Sequence, residues 1–178
     1  MTYEYAVYFK LLLLCGYKDE LAQYVDVALS EQDPLSGIIL ELATTGPDDK
    51  KILAVLNEYL LQVKDSDIDY DNVVFDLILS FLKRKYIEDA MPMKDITRLM
   101  YRLSLHTNRY LDDPWYTMSL MDDLFDDAEI GFISKADYQR TFDAFINDKV
   151  CVRNSLISQP KESFFRRILR KIFGIIVM

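Results

Sequence analysis

Apolar residues recur along most of this chain at helical spacing, and short polar stretches separate one apolar stripe from the next. Isoleucine and valine fall three or four positions apart rather than in alternating runs, which favours helices over strands. Only five glycines and five prolines occur in 178 residues, as suits helices with short connections. The sequence therefore predicts an all-α fold, a single compact multi-helix domain of eight or nine short helices in antiparallel hairpins.

Helix boundaries follow from turn and capping residues. Helices are predicted over 4–15, 18–30, 34–45, 72–86, 114–129, 135–149 and about 161–176, with two more beginning near Pro47 and Pro92. Asp33-Pro34 and Asp113-Pro114 place a capping residue before a proline at the first helical position. Asp71 is the predicted N-cap of 72–86, and Ser134 that of 135–149.

The apolar stripes predict the core. Its expected members are Leu21, Tyr24, Val25, Ala28, Leu29, Ile38, Ile39, Leu42, Ile52, Leu53, Leu56, Tyr59, Leu60, Val63, Val74, Leu77, Ile78, Phe81, Ile96, Leu99, Met100, Leu103, Tyr138, Phe142, Phe145 and Ile146.

Charge is distributed unevenly along the chain. Residues 1–148 carry 14 basic and 28 acidic side chains, a net charge of −14, whereas residues 149–178 carry seven and one, a net charge of +6. An acidic body of this kind is expected to repel nucleic acid and to attract a basic protein partner. The alternative is that the acidity only keeps the protein in solution.

No catalytic or metal-binding motif is evident. Cys15 and Cys151 form no disulfide or metal-ligand spacing, and His106 is the only histidine, although a Cys–His pair assembled in space remains open. Asp65, Asp67, Asp69, Asp71 and Asp76 copy part of a calcium loop, but Tyr70 occupies its glycine position, so an acidic interhelical loop is expected instead. We therefore expect a protein that is not an enzyme, with no cofactor and no metal.

The N-terminus does not read as a secretion signal. Glu4 stands where basic residues are expected, and Lys10 interrupts the apolar run. The run from Leu11 to Cys15 is too short to cross a bilayer. A cytoplasmic protein is the prediction.

The helix predicted over 114–129 carries the candidate binding surface. One half of its helical wheel is apolar, and the other holds a row of acids towards which two aromatic side chains also project. Aromatic anchors beside carboxylates suit a partner rich in arginine and lysine. The predicted partner-binding residues are Trp115, Tyr116, Asp122, Asp123, Asp126, Asp127 and Glu129. The alternative is that Trp115 packs on a neighbouring helix and the acids form a solvated face.

The C-terminal segment 160–178 reads as a basic amphipathic helix, with Arg166, Arg167 and Arg170 opposite a broad apolar face. Such a helix either docks on the acidic body or lies on an anionic membrane. Because the body would be repelled by an anionic membrane, docking is favoured. The membrane reading leaves a second function, that of a peripheral helical adaptor.

In size, acidity and helical character the chain resembles the immunity proteins of bacterial polymorphic-toxin and contact-dependent growth inhibition systems. The resemblance is clearest in DPLSGIILELATTGPDDKKILAVLNEYLLQV and DDPWYTMSLMDDLFDDAEIGF. It implies a non-catalytic inhibitor of one cognate toxin, usually a basic nuclease. Within this class, the chain looks similar to the helical immunity proteins that pair with EndoU-like RNase toxins.

Overall fold

The computed structural model describes residues 1–31 and 33–152, and the regular secondary structure of this part is entirely helical, which confirms the predicted all-α fold. The α-helices are α1 (Tyr3–Leu14), α2 (Asp19–Glu31), α3 (Gly37–Thr45), α4 (Asp49–Leu60), α5 (Phe75–Ile87), α6 (Met93–Thr107), α7 (Trp115–Glu129) and α8 (Lys135–Asp148). A 3₁₀ turn (Asp65–Asp67) and a π-helical turn (Tyr70–Val74) lead into α5. The helix predicted over 161–176, and its docking on the body, lie outside the described residues.

Helix α1 is the central element. Its middle is apolar on nearly every side, and the residues from Ala6 to Phe9 and from Leu11 to Leu13 are all buried. A helix that is apolar all round has to be surrounded by others. Accordingly, α1 packs against α4, α6 and the π-helical turn.

The second half of the chain forms a hairpin stack. Helix α6 packs extensively against α7, α7 packs against α8, and α5 contacts both α6 and α8. Aromatic side chains fill the space between them: the rings of Phe75 and Phe145 meet edge to face with centroids 6.0 Å apart, and the Tyr86 and Phe142 rings meet at 5.1 Å. Edge-to-face pairs of this kind add to the stability gained from burial alone. The hairpin of α6 and α7 thus rests on a closely packed base.

Most of the predicted core is buried, with some exceptions at helix edges. The stripe of α6 (Ile96, Leu99, Met100, Leu103) is buried, and so is that of α8 (Tyr138, Phe142, Phe145, Ile146). In α4 only Leu56 is fully buried. Leu29, predicted inside α2, is 40% exposed.

Two predicted helix starts are wrong. Helix α3 begins at Gly37 with Ser36 in the N-cap position, not at Pro34. Asp71 does not cap the fifth helix. Asp69 caps the π-helical turn instead, since its carboxylate accepts a hydrogen bond from the Asn72 N–H at 3.0 Å.

The predicted boundary between α7 and α8 is correct. Gly131 follows the C-terminus of α7 with φ of +82°, a left-handed conformation that glycine adopts without strain. Ser134 then caps α8: its Oγ accepts from the Asp137 N–H at 3.0 Å and donates to the Asp137 carboxylate at 2.7 Å. Both helix termini that flank the turn are therefore formed by residues that suit them, Gly131 and Ser134.

Candidate partner-binding surface

Helix α7 turns one side to the core and the other to solvent. Met118, Met121 and Ala128 are buried against the neighbouring helices. The predicted acidic side is not uniformly exposed, and its residues fall into two groups. Asp123, Asp126 and Glu129 are exposed, whereas Tyr116, Asp122 and Asp127 are half-buried.

Trp115 is not part of the exposed face, so its prediction as a binding anchor is wrong. The side chain is fully buried, and its ring meets Phe75 edge to face at 5.0 Å. Its indole Nε1 donates to the Asp71 carboxylate at 3.1 Å. The helical wheel shows only the side of α7 from which Trp115 projects. In the fold, residues 71–75, which are distant in sequence, pack against that side. The alternative stated from the sequence, packing on a neighbouring element, is the correct one.

Asp122 joins two helices. Its carboxylate accepts a hydrogen bond from the Thr97 hydroxyl of α6 at 3.1 Å, and Thr97 is itself fully buried. The same hydroxyl also lies 3.1 Å from the Lys94 carbonyl, so its one proton is shared between an acceptor within α6 and an acceptor on α7. Asp122 therefore helps to hold α7 on α6, and it has less freedom than the exposed acids to pair with another molecule.

The exposed acids form a row near the C-terminus of α7. Asp123, Asp126 and Glu129 lie three residues apart along the helix, so they share one side of it. We call these three residues the acidic row. Glu129 pairs with Lys135 at 2.6 Å, an exposed ion pair that contributes little to stability. The acidic row thus presents carboxylates that a basic partner can reach.

Two apolar side chains stand at the end of the acidic row, in the turn between α7 and α8. Ile130 is 66% exposed and Phe132 is 72% exposed. The Phe132 N–H donates to the Asp127 carbonyl at 2.8 Å, which fixes the backbone of the turn. We call Ile130 and Phe132 the apolar tip. The signal in the sequence was the phenylalanine itself, an aromatic residue in a glycine-containing turn where polar residues are usual.

The acidic loop before α5 forms an exposed polar cluster with Arg109. The Asp65 carboxylate accepts from the Tyr70 hydroxyl at 2.8 Å and pairs with Arg109 at 3.5 Å. Arg109 also lies over the Tyr70 ring at 4.3 Å and pairs with Asp71 at 3.8 Å. Three acids of the apparent calcium loop therefore cap a helical turn or pair within the chain, and no group of three or more potential metal ligands occurs in residues 1–31 and 33–152.

The two thiols lie in surroundings that do not activate them. Burial raises the pKa of Cys15 to about 11, so this thiol stays protonated at neutral pH. Burial, and then the nearby Asp113 carboxylate, raises the pKa of Cys151 as well. Since the thiolate is the reactive form, neither environment favours nucleophilic chemistry. His106 is exposed near the C-terminus of α6.

No family model, curated protein or solved structure matches this chain. In the part of the chain that the structure describes, no helix has the length and apolar character needed to cross a bilayer. The functional reading of the protein therefore depends on its own geometry, and that geometry offers an acidic row ending in an exposed apolar tip.

Proposed function

We propose that this protein is a non-catalytic, protein-binding inhibitor, an immunity protein that neutralises a basic nuclease toxin in the cytoplasm. The observation that carries the proposal is the position of the apolar tip at the end of the acidic row. Protein interfaces combine a few large apolar anchors with a surrounding polar rim. Phe132 and Ile130 supply the anchors, and Asp123, Asp126 and Glu129 supply the rim.

The charge of the surface indicates the chemistry of the partner. A nuclease binds the phosphates of its substrate with arginine and lysine, so its substrate cleft is basic. The acidic row presents carboxylates to the same cations, and the strongly acidic body accelerates the encounter. Bound there, the protein excludes the nucleic acid both sterically and electrostatically.

Affinity capture with matched variants tests the proposal. The wild-type protein, immobilised and exposed to extract of its native cell, is expected to retain a basic protein whose nuclease activity falls when the two are mixed. Phe132→Ala should weaken this complex at least about tenfold, because an anchor residue typically contributes 2 kcal/mol or more. Replacing Asp123, Asp126 and Glu129 by Asn, Asn and Gln should weaken it further, and more at low salt than at high salt.

Leu61→Ala is the matched control, since Leu61 is 85% exposed on a different helix hairpin and belongs to neither the acidic row nor the apolar tip. It should leave the affinity unchanged. Equal affinity of the wild type, Phe132→Ala and the acidic-row variant for the captured protein would refute the assignment of this surface. A captured partner without nuclease activity would refute the toxin class.

A further inference from the structure

The outward side of α6 carries a column of basic residues. Lys94, Arg98, Arg102 and His106 follow one another at four-residue spacing, and all four are exposed. We call these four residues the α6 basic column. None of these side chains forms an ion pair within residues 1–31 and 33–152, even though that part of the chain is rich in acids.

Helix stability does not account for the column. Cations four residues apart on a helix repel one another, so the column destabilises α6 slightly. Lys94 also lies in the first turn of the helix, where the helix dipole disfavours positive charge. A binding role accounts for cations kept at these positions without partners.

Apolar side chains accompany the basic column. Tyr101 is 41% exposed and Leu105 is 39% exposed, each three residues beyond an arginine of the column. Residues three apart on a helix are neighbours on its surface. The exposed side of α6 therefore offers cations and apolar area together.

The C-terminal end of the column opens into a cleft of about 530 Å³. His106 lines this cleft together with Lys10 of α1 and the partly buried Leu60, and two acids, Asp65 and Asp112, line it as well. Arg109 lies at its rim, held over Tyr70 and paired with Asp65. The cleft therefore carries charges of both signs, and the cations with apolar neighbours and no ion pair among the described residues are those on the exposed side of α6 itself.

We propose that the α6 basic column, with Tyr101 and Leu105 beside it, forms a docking site for an acidic amphipathic segment of a partner protein. Carboxylates of that segment pair with Arg98 and Arg102, where a guanidinium binds a carboxylate in bidentate geometry. Apolar side chains of the segment pack against Tyr101 and Leu105. The site lies on a different helix from the acidic row and has the opposite charge, so it does not depend on the proposed function.

An acidic protein segment fits this site better than nucleic acid does. Residues 1–152 carry 15 basic and 28 acidic side chains, a net charge of −13, which repels a continuous phosphate backbone over most of the surface. Tyr101 and Leu105 also present exposed apolar area, which the apolar side of an amphipathic peptide covers. A short segment needs to match only the local positive charge.

Fluorescence anisotropy with a defined probe tests the proposal. The probe is a labelled synthetic helical peptide that has glutamate at every fourth position and leucine on the adjoining row. It is expected to bind the wild-type protein, and Arg98→Glu with Arg102→Glu should raise its Kd at least about tenfold. Lys50→Glu with Lys51→Glu is the matched control, because it changes the net charge equally at exposed positions of α4. That control should change the Kd less than about twofold.

Circular dichroism of both double variants establishes that the fold is retained, and a scrambled peptide of the same composition should bind weakly. Four outcomes would overturn the proposal. The first two are that the peptide does not bind, or that the two double variants bind it equally. The third is that a single-stranded RNA or an anionic vesicle binds at the column in place of the peptide. The fourth is that the protein self-associates and that Arg98→Glu with Arg102→Glu abolishes this self-association.

Discussion

At the scale of single residues, burial decides what a side chain does. Trp115 and Phe132 are both large aromatic residues near the ends of α7, yet one is fully buried and the other is 72% exposed. The buried ring contributes to folding through its contact with Phe75 and its hydrogen bond to Asp71. The exposed ring makes no comparable contribution to the core and is available to another molecule.

Trp115→Phe should lower the free energy of unfolding by about 1–3 kcal/mol, because it removes the indole donor of the Asp71 carboxylate and leaves a smaller ring in a closely packed site. Urea unfolding followed by circular dichroism measures this change. Phe132→Ala, the comparison variant, should change the stability by less than about 0.5 kcal/mol. A stability loss on Phe132→Ala that equals the loss on Trp115→Phe would contradict the distinction between the two rings.

At the scale of helices, the local sequence predicted which helices exist better than it predicted the residues at which they begin. Ser134 caps α8 as expected, since every group involved lies within four residues. Asp71 was expected to cap α5 by the same logic, but its carboxylate accepts from Trp115, which is 44 positions away. Periodicity within one helix carries no information about such a partner, and for the same reason it misplaced Trp115 on the exposed face.

Ser134→Ala should lower the free energy of unfolding by about 1 kcal/mol, since it removes the side-chain cap of α8. The chain offers a matched control at the N-cap position of α3, where the Ser36 hydroxyl makes no capping hydrogen bond. That hydroxyl is buried and without a partner within the described residues, so Ser36→Ala should be neutral or slightly stabilising. Equal losses in urea unfolding of the two variants would show that capping is not the cause.

At the scale of the whole molecule, the net charge was predictable from the sequence, but the positions of the charged side chains on the folded surface were not. The sequence gives an acidic body, but it does not show that the acidic row and the α6 basic column lie exposed on two helices that pack together. The sequence also did not identify Ile130 and Phe132 as part of the candidate surface, because the exposure of a turn residue depends on how α7 and α8 meet. The location of the candidate surface was therefore predictable only to within one helix.

Buried thiol and phenol groups make the stability of the whole fold sensitive to alkaline pH. Burial raises the pKa of the Cys15 thiol from 9.0 to about 11, and burial likewise raises the pKa values of the Tyr8, Tyr70 and Tyr138 phenols. As the pH rises, the unfolded chain loses these protons before the folded one does, so stability is fully present below about pH 9 and declines above it.

Urea unfolding from neutral pH to about pH 11 should show this decline, to which Cys15 contributes roughly 2–3 kcal/mol. In a plot of the free energy of unfolding against pH, Cys15→Ala should remove the decline that begins near pH 9 and leave the decline that is due to the phenols. A free energy of unfolding that stays constant across this range would contradict the burial of these groups.

The enclosed position of Trp115 also has a practical consequence, since it is the only tryptophan in the chain. Its intrinsic fluorescence reports on the packing of α7 against the segment before α5. Its ring contact with Phe75 and its hydrogen bond to Asp71 involve neither the apolar tip nor the α6 basic column. A ligand that binds at either surface without rearranging the core will leave this emission unchanged, so any spectral shift in a titration would indicate a conformational change rather than contact.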